Sequence, residues 1–188
     1  MAKSIPRFTS AYEKRLWLCA MAVFAAIYAT LFVGTPLANR LIDQDVQAVF
    51  FVSGMLLVAA SVIFHGLRTK PGKLELSILI GIIAVYSMLI LRLGAPERSH
   101  LIEYSVLAIF IHKALVERSI RKKLILKPAI LALAISFLIG VSDELLQLLL
   151  PNRVFDLEDI LFNGIAVSMA IASGELLTWI QKKRKSSR

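Results

Sequence analysis

Between positions 143 and 163 the sequence sets Asp143, Glu144, Gln147, Arg153, Asp156, Asp159 and Asn163 against leucine, isoleucine, valine and phenylalanine, and upstream it sets His100 and Glu103 in a second apolar stretch. Carboxylates and imidazoles can move protons. An arginine grips anionic groups through paired donors. Carboxylates with an imidazole can also hold divalent cations. Glu103 or Glu144 is thus a candidate general acid or base, with Arg153 holding an anionic group, and His100 with Asp143 and Asp159 is a candidate cation set. These separations match no dedicated metal motif, so neither a metal nor another cofactor is expected. Each residue also has a structural reading. Asp156 and Asp159 suit the cap and first turn of a following helix. Arg92 suits snorkelling, and His100 suits an interfacial hydrogen bond. Glu103 and Glu144 suit an ion-pair network with Arg92, Arg98 or Arg153, because a buried carboxylate needs a partner or a proton.

The elements that position these groups are set by composition. Of 188 residues 57% are hydrophobic, and mean hydropathy is +0.73. A membrane span needs about 20 mostly apolar residues. Six runs qualify or come close, at 16–35, 46–67, 74–93, 101–116, 128–150 and 160–180, with Pro128 suited to a first helical turn. The first is longer than a signal-peptide core and lacks a small-x-small cleavage site, so it is expected to be a retained helix. The lone Cys19 lies within it and reads as a small hydrophobe facing lipid or a neighbouring helix.

Charge orients the spans. Net charge is +9, but the basic residues cluster at the ends of apolar runs, which points away from nucleic acid and towards cytoplasmic anchors. With the N-terminus inside, 18 of the 22 Lys and Arg residues fall on the cytoplasmic side, and only Arg40, Arg92, Arg98 and Arg153 fall outside. The expected architecture is an all-α, polytopic helical bundle of six transmembrane helices with both termini cytoplasmic. Residues 1–97 form an N-terminal segment with the first three helices, 98–180 carry the next three, and 181–188 are a basic cytoplasmic tail.

In this arrangement the polar residues converge. At 1.5 Å rise per residue, Glu144 is expected roughly 9 Å inside the end of its helix, and Glu103 and Asn163 roughly 3–5 Å inside theirs. All three ends are expected on the outer side, joined by the short loop that carries Arg153. The sixth helix bears two small-residue stripes, Asn163–Ala166–Ala170–Gly174 and Gly164–Ser168–Ala172, which suit close packing inside the bundle. His65 and His112 lie towards cytoplasmic ends and receive no role, and Glu75 and Glu175 lie there within reach of water or basic neighbours.

The run Asp143-Glu144-Leu145-Leu146-Gln147, then Pro151-Asn152-Arg153, Asp156, Asp159 and Asn163, resembles the signature of the VanZ-like family, without a gap from Glu144 to Asn163. His100-Leu101-Ile102-Glu103-Tyr104 is similar to the family's His-containing motif. The likeness covers about 98–174. It departs where the family carries an Asp-Lys pair ahead of the His, here Glu97 and Arg98, and where a glycine follows the Asn by three residues, here Ala166. Short family members look like four-helix proteins, so the second and third helices look additional.

The resemblance implies a multi-pass membrane protein of the cell envelope, in a bacterial inner or cytoplasmic membrane, with a role of the teicoplanin (lipoglycopeptide) resistance type. Three functions stay open. One is a binder of an amphiphilic or lipid-linked ligand, using His100, Glu103, Asp143, Glu144, Gln147, Arg153, Asp159 and Asn163. Another is an enzyme acting on a lipid-linked envelope intermediate through Glu103 or Glu144. The third is a structural or assembly subunit of a membrane complex. Membrane lipids are partners in all three.

Overall fold

The computed structural model describes residues 8–40, 71–93, 95–151 and 155–186. The expected second span at 46–67, and Arg153, lie outside them. The described residues form five helices: α1 (Ala11–Arg40), α2 (Lys73–Arg92), α3 (Ala95–Arg121), α4 (Pro128–Gln147) and α5 (Leu157–Ser186). Each is long and apolar enough to cross a membrane. Only structures that satisfy their own backbone hydrogen bonds can do so, and the chain is a polytopic membrane helical bundle.

Local chemistry sets the ends. α1 starts five residues ahead of its apolar run because Ser10 caps it, its Oγ accepting the Glu13 N–H at 3.0 Å. It continues through Pro36 to Arg40, past the expected stop at residue 35. α4 begins at Pro128 as expected and ends at Gln147, short of 150, because Leu149 and Leu150 turn into tight bonds to the carbonyls of Leu146 and Gln147. α5 begins at Leu157 behind Asp156, whose Oδ1 accepts the Glu158 N–H at 2.8 Å. A capping bond is thus made by Asp156, and Asp159 lies 3.6 Å from His100 of α3. α3 starts at Ala95 rather than near 101.

Depths shift accordingly. Glu103 lies about 12 Å along α3 rather than in its first turn, Asn163 about 9 Å along α5, and Glu144 about 4–5 Å from the end of α4.

α3 is the central helix. It packs against α1, α4 and α5, and half of its spanning window is buried, against 28% for α5 and 6% for α2. The expected interior position of the last helix is met on one face only. Asn163, Ala166, Val167, Ala170 and Ile171 are buried there, while Ser168 and Ala172 are exposed. Of the second stripe, Gly164 is used: a Cβ on it would stand 3.2 Å from the Phe137 ring.

Contacts fix the directions. The start of α1 meets the end of α3, where Ser10 Oγ donates to Glu117 Oε1 at 2.8 Å. The start of α2 meets the end of α5, where Gln181 Nε2 donates to Glu75 Oε1 at 2.7 Å. The starts of α1 and α2 and the ends of α3 and α5 thus share one end of the bundle, which also carries Lys14, Arg15, Lys73, Arg118, Arg121 and Lys182–Lys185. We call it the basic end. The start of α3, the end of α4 and the start of α5 meet at the other, the acidic end.

Candidate functional site at the acidic end

The site is built around a glycine. A Cβ on Gly140 of α4 would stand 3.0 Å from Asn163 Cβ of α5 and 3.3 Å from Tyr104 Cε1 of α3. Hydrogen in place of a side chain lets three helices converge at this level, as small residues do where lipid supplies no hydrophobic drive for helix association. One turn further along α4, Asp143 Oδ2 accepts the Tyr104 hydroxyl at 2.9 Å. Beside it, Glu144 Oε1 accepts Gln147 Nε2 at 2.7 Å, and its Oε2 accepts the Asp156 backbone N–H at 3.3 Å. Glu144 therefore ties the end of α4 to the start of α5 across the connecting loop. On α3, His100 stacks on Tyr104 with ring centroids 6.0 Å apart, and its Nε2 lies 3.6 Å from Asp159 Oδ2 of α5.

Burial separates the members. Asp143 and Glu144 are at most 1% exposed, Asn163 is fully buried, and Gln147 is buried. His100, Glu103 and Asp159 are half-buried. Both polar atoms of the Asn163 amide, and His100 Nδ1, are buried without a hydrogen-bond partner. Glu103 lies close enough to Asp143 to feel its charge, and among the described residues its carboxylate forms no hydrogen bond or ion pair. In sequence, 98–104 and 143–163 carry Glu103, Asp143, Glu144, Asp156, Glu158 and Asp159 against Arg98, Arg153 and His100. Arg40 and Arg92, at the ends of α1 and α2, add to this end, and the six acids named still outnumber its four arginines.

The fold brings together His100, Asp143, Glu144, Gln147, Asp159 and Asn163 of the expected set. It leaves Glu103 to one side next to Asp143, and Arg153 lies outside the described residues. The candidate cation set changes membership. Sequence spacing offered His100, Asp143 and Asp159, but Asp143 is turned to Tyr104, and one ligand atom each from His100, Glu144 and Asp159 lie within 4.8 Å of one another.

Two members had signals that went unused. Tyr104 falls one turn after His100, so it shares that face of α3. Gly140 falls one turn before Glu144 in an apolar run, where a glycine marks a close approach. Tyr28 of α1 had no such signal. Its hydroxyl lies 2.8 Å from Ser142 Oγ and ties α1 to α4.

The VanZ/LLP1 family model matches residues 23–178, which takes in α2, α3 and α4 in full, the latter part of α1 and most of α5, with every residue of the polar cluster. No curated protein and no solved structure matches the chain. The match begins well upstream of the signature residues, so the first helix is part of the likeness along with the polar cluster. This chain belongs to the VanZ/LLP1 family, as a multi-pass membrane protein with a VanZ-like role in the cell envelope.

Proposed function

We propose that the acidic end binds the polar head of an amphiphilic or lipid-linked envelope molecule, whose apolar part lies along the surrounding helices. The observation that carries this reading is the Asn163 amide, fully buried with neither polar atom partnered. A buried unsatisfied amide costs about 1–3 kcal/mol, and such groups persist where they serve a ligand. Ionisable clusters within membrane spans point the same way.

The reading includes a topology of six spans with both termini cytoplasmic, which puts the cluster in the outer leaflet. Its support is that α1 and α2 both start at the basic end, and that the sequence between them holds an apolar run at 46–67 long enough to span. The basic end also holds the cationic clusters that anchor cytoplasmic faces. Cysteine labelling at Asn152 from the outside of intact cells tests this, and labelling only from the cytoplasm would overturn it.

The function is tested in a deletion strain profiled for envelope lipids, cell-wall precursors and teicoplanin susceptibility. Complementation with the wild-type chain is expected to restore the profile, and complementation with Glu144→Gln or Asn163→Leu at equal abundance is not. Full restoration by both variants would leave helix packing as the role of the motif. A complete loss of turnover with binding retained in Glu144→Gln would favour the enzyme reading, in which Glu144 exchanges a proton with the bound molecule.

A further inference from the structure

We infer that His100, Glu144 and Asp159 form a binding site for a divalent transition-metal ion of the Zn²⁺ or Mn²⁺ class, which recruits a phosphate-bearing head group to an end of the bundle that carries excess negative charge. The bridging half rests on the head-group reading above. The metal half stands on its own geometry.

The three residues come from three helices, and their ligand atoms lie within 4.8 Å of one another, with His100 Nε2 and Asp159 Oδ2 3.6 Å apart. Bonds of about 2.0–2.2 Å to nitrogen and oxygen ligands put neighbouring ligand atoms roughly 3.4 Å apart in a tetrahedral site, so small side-chain rotations close this set on an ion. One imidazole with two carboxylates suits Zn²⁺ or Mn²⁺ better than the all-oxygen shells of Ca²⁺ and Mg²⁺. Three protein ligands leave at least one position open for an oxygen of the head group.

A second observation points to a bound species. Asn163 lies one turn below Asp159 on the same face of α5. Its unpartnered amide packs against Gly140 of α4, one turn before Glu144, so it lies between two helices that each supply a ligand. An oxygen held on an ion there gives the amide a hydrogen-bonding partner. Glu144 is already oriented, since Gln147 and the Asp156 N–H each hold one of its oxygens. Such outer contacts fix ligand geometry in metal sites. The ion also answers an electrostatic difficulty. Carboxylates repel a phosphate, and a divalent cation between them turns repulsion into attraction.

The test uses the full chain, purified in detergent through a tag free of histidine and stripped with chelator. Equilibrium dialysis against Zn²⁺ and Mn²⁺ is expected to give one saturable ion per chain. His100→Gln and Asp159→Asn are expected to weaken it by more than the roughly 10–100-fold cost of losing an outer contact. Glu103→Gln, outside the set, is expected to bind as wild type. Thermal melts monitor folding, and added metal is expected to raise the melting temperature of wild type and Glu103→Gln alone. The absence of saturable binding, or equal binding by all four chains, overturns the metal site. Short-chain phosphatidic acid is then titrated with metal and with chelator, with inorganic phosphate as competitor. Metal-dependent binding supports the bridge. Binding that persists in chelator overturns the bridge and keeps the head-group reading. Metal binding with no phosphatidic acid or phosphate binding overturns the bridge alone.

Discussion

Polar groups gather at both ends of this bundle, and the two ends treat them differently. At the basic end each buried acid among the described residues has a base. Glu13 takes Arg118 Nε at 2.8 Å, Glu75 takes Arg184 Nη1 at 3.0 Å, and His112 Nε2 lies 3.0 Å from Glu175. Each pair joins two helices: α1 to α3, α2 to α5, and α3 to α5. At the acidic end Tyr104–Asp143, the Asp156 N–H to Glu144 and the His100–Asp159 pair also join helices, but the fully buried Asn163 amide has no partner. Matched charge holds a bundle together, and unmatched polarity in an apolar setting lowers its stability unless something binds there. The contrast sets a structural end against the end where recognition is proposed.

The largest expected loss of stability tests the structural end. Arg118→Ala leaves a fully buried Glu13 carboxylate without its guanidinium, at a cost of about 3 kcal/mol, the low end for removing one partner of a buried pair because the arginine side is part-exposed. Melting temperature and membrane abundance should both fall. Glu13→Gln in the Arg118→Ala background should recover much of the loss, because the buried group left with only its Thr9 donors is then neutral. A single variant as stable as wild type would break the contrast from this side.

Next comes the packing that brings the acidic end together. Gly140→Ala puts a methyl group 3.0 Å from Asn163 Cβ and 3.3 Å from the Tyr104 ring. Backbone and ring must shift, at about 1–3 kcal/mol for overpacking. A melt within error of wild type would show that the three helices approach less closely than described.

The two ends were unequally legible in the sequence, and the reason is physical. Spans and the sidedness of charge could be read because apolar length and Lys/Arg clustering are properties of a single segment. The acidic residues were found because ionisable groups stand out in apolar runs. Membership of the site was harder, since it depends on which helix starts early. The start of α3 at Ala95 set Glu103 deep in its helix, the cap at Asp156 set the start of α5, and the fold brought Glu144 to His100 and Asp159. The central helix was not picked out. Small residues drew attention to α5, yet α3, with mean hydropathy 1.3 against 2.4 for α2, is the more buried. In a membrane the helix that carries the polar groups is the one that needs protein around it, so low hydropathy was the better guide.

A smaller effect is expected inside the site. Tyr104→Phe removes the hydroxyl that Asp143 accepts at 2.9 Å and leaves the ring in place against Gly140. The loss should be about 1–2 kcal/mol, the range for a hydrogen bond to a carboxylate once partial rehydration is allowed. A larger drop would make the acidic end as structural as the basic end.

The smallest expected change in stability decides most. Asn163→Leu replaces an amide by an apolar group of nearly the same shape, at a position where neither amide atom has a partner. If the acidic end were only a packing device, its polar residue should be missed, and the melting temperature should fall. If it is a recognition site, the unbound protein should melt at or slightly above the wild-type temperature, because a buried unsatisfied pair has been removed. Complementation of the deletion strain should fail in the same variant. The two readouts therefore move in opposite directions under the recognition reading and together under the packing reading. An Asn163→Leu chain that is less stable and still functional would reverse the assignment of the two ends.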